Sequence, residues 1–251
     1  MLLVNFQESI HKQVKENRRY MAYIHTLYAS LNRKEMEKEK FEDAFINALN
    51  KNFPLHSKYF ELEFKIFQEL GGSIFEINKC LILEFYRASI TLTNHVLERL
   101  LKIALIYNEA GINPIPSEDW SSTFEGPNEK YGTKPLGNSI ELCEKLELIS
   151  ADEKEYLFDT IRTLMRNGFS HADPSKILAG LPDESIFFQS SFSDPEKLNP
   201  VGINQKVVPF LQAIQMDNFA KNTAFSYFNY VFELITKIEL RIVDKQNKSS
   251  I

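Results

Sequence analysis

An arginine, an asparagine and a histidine stand close together in the stretch Ile161-Arg162-Thr163-Leu164-Met165-Arg166-Asn167-Gly168-Phe169-Ser170-His171-Ala172-Asp173-Pro174. Arg166 and Asn167 adjoin, and His171 follows five positions after the arginine. These residue types suit proton transfer next to an anion. Histidine titrates near neutrality and can take up a proton and return it. Arginine offers a planar fork to phosphate oxygens, and an asparagine amide can fix a histidine tautomer or hold an oxygen. Arg162 lies one turn before Arg166 on the same face, and Lys176 one short turn beyond the histidine. Both could guide an anionic strand.

The elements that must position these groups are legible around them. Ser150 followed by Glu153 makes a capping box, and Tyr156, Leu157, Ile161, Leu164 and Met165 form an apolar stripe at helical spacing. Gly168 stands where a C-terminal glycine would end this helix, and Asp173-Pro174 reads as an N-cap with proline in the first turn of the next. Arg166, Asn167 and His171 are therefore expected on a helix break. Arg18 and Arg19 precede His25 at a similar distance, but in an unbroken helical pattern with Tyr20 after Arg19. Only the second copy has the asparagine, the glycine and the downstream cap.

Arg166-Asn167-(three residues)-His171 resembles the signature of the HEPN superfamily, small all-helical domains with an arginine, a polar residue and, a few positions on, a histidine. The resemblance extends over residues 75–245 and is sharpest at 162–174. It implies a metal-independent endoribonuclease without a cofactor, acting on single-stranded RNA, with Arg166, Asn167 and His171 catalytic, and Arg162 and Lys176 are placed by their positions to bind the substrate. It also implies a homodimer in which two corners face each other across one composite site. Toxin, phage-defence or RNA-processing roles are common in the superfamily, and a cognate antitoxin or protein partner would follow from the first. Members often keep a carboxylate on an early helix near the corner, and Glu98 is the candidate here. It could orient His171 or pair with Arg166, or it could be an exposed side chain paired with Lys102 at i, i+4. Non-catalytic members serve as interaction or scaffold modules. On that reading Arg162 and Arg166 complement a helix dipole, while Asn167 and His171 satisfy loose carbonyls.

With 251 residues, 43% of them hydrophobic, the chain can bury a substantial core. A net charge of −5 argues against broad electrostatic binding to nucleic acid, so any phosphate recognition should be local. Cys80 and Cys143 fall in apolar patterns without metal-type spacing and read as buried free thiols of a cytoplasmic protein. His95 has no second ligand at helical spacing, so no metal site is expected. The N-terminus does not read as a signal peptide, and no stretch suggests a membrane span.

The expected fold is all-α, a helical bundle with a long central helix and two long irregular loops. Residues 1–70 form an N-terminal helical extension packed on the bundle, and 71–251 the HEPN-like domain. The extension holds a helix over 2–31, a second broken at Pro54, and an aromatic helix over 55–70 carrying Tyr59, Phe60, Phe64 and Phe67. One unbroken helix from Ser73 to Ala110, ended by Gly111, is the spine. Residues 111–138 and 180–209 are the irregular connections, the second with Ile186-Phe187-Phe188-Gln189 as a short strand or buried plug. Asn138 with Glu141 caps a helix to about Leu148, and a helix over 206–245 is apolar almost all round.

Overall fold

A computed structural model describes residues 38–61, 64–170, 173–191 and 194–249. The helix expected over 2–31, with His11 and His25, lies outside the described residues. The chain divides into two compact units, residues 1–51 and 52–251. Helix α1 (Lys38–His56) runs across that division and ends shortly after Pro54 rather than at it. Within the smaller unit its first turn is exposed, with Lys38 paired to Glu42 at 3.4 Å.

The larger unit is mostly helical, as its periodicity requires, with one two-stranded sheet. Among the described residues of 55–70 there is no continuous helix but two 3-10 turns, Ser57–Phe60 and Gln68–Leu70. Their aromatic residues Tyr59, Phe64 and Phe67 still enter the core. Gly71 and Gly72 open helix α2 (Gly71–Ile82), and α3 (Tyr86–Ala110) follows. The expected single spine is thus broken at Leu83-Glu84-Phe85. Glu84 takes the left-handed conformation (φ 63°), its N–H donates to the Leu81 carbonyl at 3.2 Å, and the Phe85 N–H donates to Cys80 at 2.7 Å. This is a Schellman ending built on glutamate where glycine is usual.

Helix α3 stops at Gly111 (φ 87°), as its position in the pattern predicts. Residues 111–138 are less irregular than expected, because α4 (Trp120–Tyr131) forms straight through Pro127. Tyr131 anchors it, buried and donating to Glu109 at 2.6 Å, whereas Trp120 is 58% exposed. Helix α5 (Leu136–Lys145) starts two residues before Asn138, with Pro135 at its N-cap position, so the Asn138 cap does not form. Its end repeats the Schellman pattern. Glu147 (φ 54°) donates to Glu144 and Leu148 donates to Cys143, both at 2.8 Å.

A left-handed residue with a Cβ costs about 1 kcal/mol. Exposed Glu147 is the cleaner site to test. Glu147→Gly is expected to raise stability by about 0.5–1 kcal/mol in urea denaturation, the relief of strain being partly offset by a freer unfolded chain. An unchanged or lower midpoint would contradict this assignment of strain.

Helix α6 (Ala151–Tyr156) winds on without interruption as a π-helix over Leu157–Ser170, and short α7 (Ser175–Leu178) follows. The second expected loop holds an antiparallel hairpin, β1 (Glu184–Ser191) with β2 (Asp194–Asn204), in the register Glu184↔Asn204 to Ser191↔Asp194. Ile186 lies in a strand and is 69% exposed, so it plugs nothing. Buried Gln205 ties the hairpin base to the last helix, α8 (Pro209–Ser249). Its backbone N–H donates to Asp183, its amide nitrogen donates to the Pro182 carbonyl at 2.7 Å, and its amide oxygen accepts from Ser185 and Gln215.

Helices α3 and α8 form the centre, and α2, α4, α5 and the π-helix pack against α3. Leu97, Leu100, Leu101 and Leu105 of α3 and Phe228, Val231, Ile235 and Ile238 of α8 are almost fully buried. Burial of each such side chain contributes about 1.5–3 kcal/mol. The apolar girth of α8 is only partly covered, since Ile214 and Phe225 remain on the outside. Among the described residues, no helix is long and apolar enough to cross a membrane. Both cysteines are free, Cys143 buried and Cys80 only partly so. Burial pushes the Cys143 thiol up to about 12.

A buried polar group at the end of α1 makes stability depend on pH. His56 is 5% exposed, packs edge-on to Phe225 at 5.0 Å and has no good hydrogen bond at Nδ1 among the described residues. Its pKa lies below the ordinary 6.5, because burial disfavours the cation; nearby Asn78 opposes this and Lys58 adds to it. The neutral ring is therefore the folded form, and the unfolded chain binds more protons below pH 6.5. Stability should fall as pH drops from about 6.5 towards the lower folded pKa. Urea midpoints at pH 7.5 and 5.5 for wild type and His56→Phe check it. The variant should lose less stability on acidification, and an equal loss would sink the assignment.

Candidate functional site

The motif helix is fixed at its start by the capping box read from the sequence. Ser150 Oγ accepts from the Glu153 N–H at 3.2 Å, and the Glu153 carboxylate accepts from the Ser150 N–H at 2.8 Å. Arg241 of α8 grips the same carboxylate at 2.6 and 3.3 Å and donates to the Leu148 carbonyl at 2.9 Å. Burial works against the Glu153 charge, but Arg241, the Ser150 N–H and Lys237 together hold its pKa below the ordinary value. The helix that carries the motif is thereby tied to α8.

From Leu157 onward each turn holds an extra residue, and Gly168 does not end the helix, which winds on to Ser170. The wider turn leaves backbone carbonyls that side chains can reach. Thr163 Oγ1 donates to the Phe158 carbonyl at 3.2 Å. Asn94, buried on α3, donates to the Met165 carbonyl at 3.1 Å and to Ser170 Oγ at 3.0 Å. Its own amide oxygen accepts from the buried Tyr227 hydroxyl at 2.8 Å. Three elements, α3, the π-helix and α8, meet on one amide.

Gly168 lies close under α7. A Cβ there would come 2.5 Å from Ile177 Cδ1, the flexible end of a side chain that would have to turn aside to admit it. Helix α7 begins one residue later than the Asp173-Pro174 pair suggests, with Pro174 at its N-cap position rather than in its first turn. Asp173 Oδ1 still accepts from the Ser175 N–H at 3.0 Å, and the Ser175 hydroxyl together with that bond holds the Asp173 carboxyl below its usual range. The Asp173 N–H in turn donates to the Asn167 carbonyl at 3.3 Å, which closes the corner.

The candidate residues are distributed as follows. Arg166 Nε stands 3.7 Å from Glu98 Oε2, and Lys102 Nζ stands 3.0 Å from Glu98 Oε1. Glu98 thus pairs with the motif arginine and with its i, i+4 lysine at once, between two cations at a half-buried position. Arg162 does not join this group; its guanidinium lies over the Phe158 ring at 5.3 Å and beside Gly137 of α5. Lys176 is exposed on α7. His171 lies outside the described residues. Asn94 and Tyr227 belong to the corner although no motif marks them. Their signal in the sequence is a polar residue inside the apolar stripe of α3, whose partners lie 71 to 133 residues away.

A groove of about 340 Å³ opens beside the corner, lined on the motif side by Gly168, Phe169 and Pro174. A larger cavity of about 480 Å³ adjoins it through shared Arg87 and Ala88 and extends to Glu84 and Lys221. Among known proteins, no family, no curated sequence and no solved structure matches this chain.

Proposed function

We propose that the chain is a metal-independent endoribonuclease of HEPN type, with a composite site at a homodimer interface. One observation supports this reading best: the motif arginine meets a carboxylate from an early helix, as the resemblance implies. Lys102 shares that carboxylate, so the trio Arg166, Lys102 and Glu98 keeps a net positive charge in an otherwise acidic chain. A local cationic spot is what phosphate recognition needs here.

In the proposed reaction His171 removes the proton from a ribose 2′-OH, and the 2′-oxygen attacks the adjacent phosphorus. The P–O5′ bond breaks, leaving a 2′,3′-cyclic phosphate. The departing 5′-oxygen takes its proton from a second acid, the same histidine of the other copy, because one imidazole does not readily act as base and acid in a single step. Arg166 stabilises the charge that builds on the phosphorane oxygens. Asn167 orients the histidine or a phosphate oxygen, and Arg162 and Lys176 guide the strand on either side. Toxin or phage-defence roles accord with such chemistry.

The test is a panel of single-stranded RNAs in excess chelator, with wild type beside His171→Ala. Wild type should cleave and the variant should not. An inert wild type, with the variant equally folded and dimeric, would favour the interaction-module reading, in which Arg166 and Glu98 are a structural pair.

A further inference from the structure

We infer that the groove beside the corner, between α3, α8 and the side formed by Gly168, Phe169 and Pro174, is a subsite for one unpaired nucleobase of the RNA strand. The identity of the strand rests on the ribonuclease reading; the shape and chemistry of the groove do not. Gly168 and Phe169 line the groove and follow directly on Arg166-Asn167, so a base held there belongs to a nucleotide close to the phosphate that Arg166 is proposed to stabilise. The groove is mostly apolar and carries a few polar side chains, the usual make-up of a site for a flat heterocycle.

Its walls are already held in place. The Phe169 ring is half-buried, and Phe219 stacks behind it at 6.0 Å with the planes inclined by 25°, giving a backed aromatic platform. Arg87 also lines the groove, and its guanidinium is held by Asp217 at 2.7 Å and by the Ala213 carbonyl at 3.3 Å. A planar cation held this way can cover a base face as well as an aromatic ring can. Gln212 donates its amide nitrogen to the Lys206 carbonyl at 2.6 Å, and Thr91 donates its hydroxyl to the Arg87 carbonyl at 3.1 Å. Each keeps an oxygen that can accept from the N–H groups of a base edge. Stacking surfaces with a few acceptors suit an unpaired base, and base–aromatic stacking contributes strongly to single-strand binding.

The test uses the full chain carrying His171→Ala, so that the strand stays intact. A fluorescent, unstructured RNA of about ten nucleotides is titrated and followed by anisotropy. Ala213→Trp, which fills the groove from a half-exposed position, should weaken binding by about ten-fold or more, the scale of one lost stacked base. Gln212→Leu keeps the shape but removes an acceptor, and should weaken binding to a smaller extent. Thermal melts of both variants should match the parent. A free mononucleotide should compete only at a much higher concentration than the strand. The inference is overturned if the parent binds no RNA, if both variants bind like the parent, or if the mononucleotide binds as tightly as the strand. A wild type that binds through the groove yet cuts nothing would remove the ribonuclease reading and leave the subsite standing. Cleavage by an Ala213→Trp chain of unchanged affinity would do the reverse.

Discussion

Asn94→Ala is expected to lower the unfolding free energy by about 3 kcal/mol, a large loss for a single polar side chain. The amide is 4% exposed and joins the Met165 carbonyl, Ser170 and Tyr227. Its removal leaves the Tyr227 hydroxyl and a widened-turn carbonyl without this partner in the interior. Each such loss costs about 1–3 kcal/mol, and the vacated space adds to it. Tyr227 cannot escape by ionising, because burial holds its hydroxyl far above the ordinary range. Urea denaturation measures the effect. Asn94→Asp should be no better, since it keeps the acceptor but replaces the donor with a buried charge. A loss below about 1 kcal/mol for the alanine variant would mean that the π-helix holds its shape without α3.

Arg166→Ala is expected to have the opposite profile, a large catalytic effect and a small structural one. The ion pair with Glu98 is 3.7 Å long with both side chains 30% exposed, so its loss should cost no more than about 1 kcal/mol. Glu98 keeps Lys102. Loss of a donor to the phosphorane should slow cleavage by about 10²–10³-fold. Arg166→Lys should recover little of that, because an ammonium restores the charge without the fork. Rates at saturating RNA, beside denaturation curves, separate the two effects. A variant that unfolds easily but cleaves normally when folded would make Arg166 a structural residue.

How much of this is legible in the sequence differs from element to element for physical reasons. The Ser150–Glu153 box and the Gly111 ending can be read directly, because each depends on a few neighbouring residues of the right type. The break at Glu84 and the ending at Glu147 cannot, since both put a glutamate where the left-handed conformation favours glycine. The apolar stripe continues across Leu83–Phe85, so periodicity alone cannot see the turn. Pro127 misleads in the other direction, reading as a loop where α4 tolerates it.

At the corner the residue types are legible and the backbone is not. Gly168 reads as a helix end because glycine is common there, yet the helix winds on through it to Ser170. Within the π-helical residues 157–170 the Met165 carbonyl is met by Asn94, a side chain 71 residues away that no local pattern announces. Glu98 is identified from the resemblance. Its simultaneous contact with Lys102 and Arg166 follows from the way α3 lies along the motif helix.

The most direct measurement of the central claim is the chemistry of the product ends. Single-stranded RNA incubated with the wild-type chain in excess chelator should yield fragments ending in a 2′,3′-cyclic phosphate, with 5′-hydroxyl partners. A 2′-O-methyl group at the cut position should block cleavage there. RNA that stays intact, or fragments with 3′-hydroxyl and 5′-phosphate ends, would contradict a corner in which His171 activates the 2′-hydroxyl.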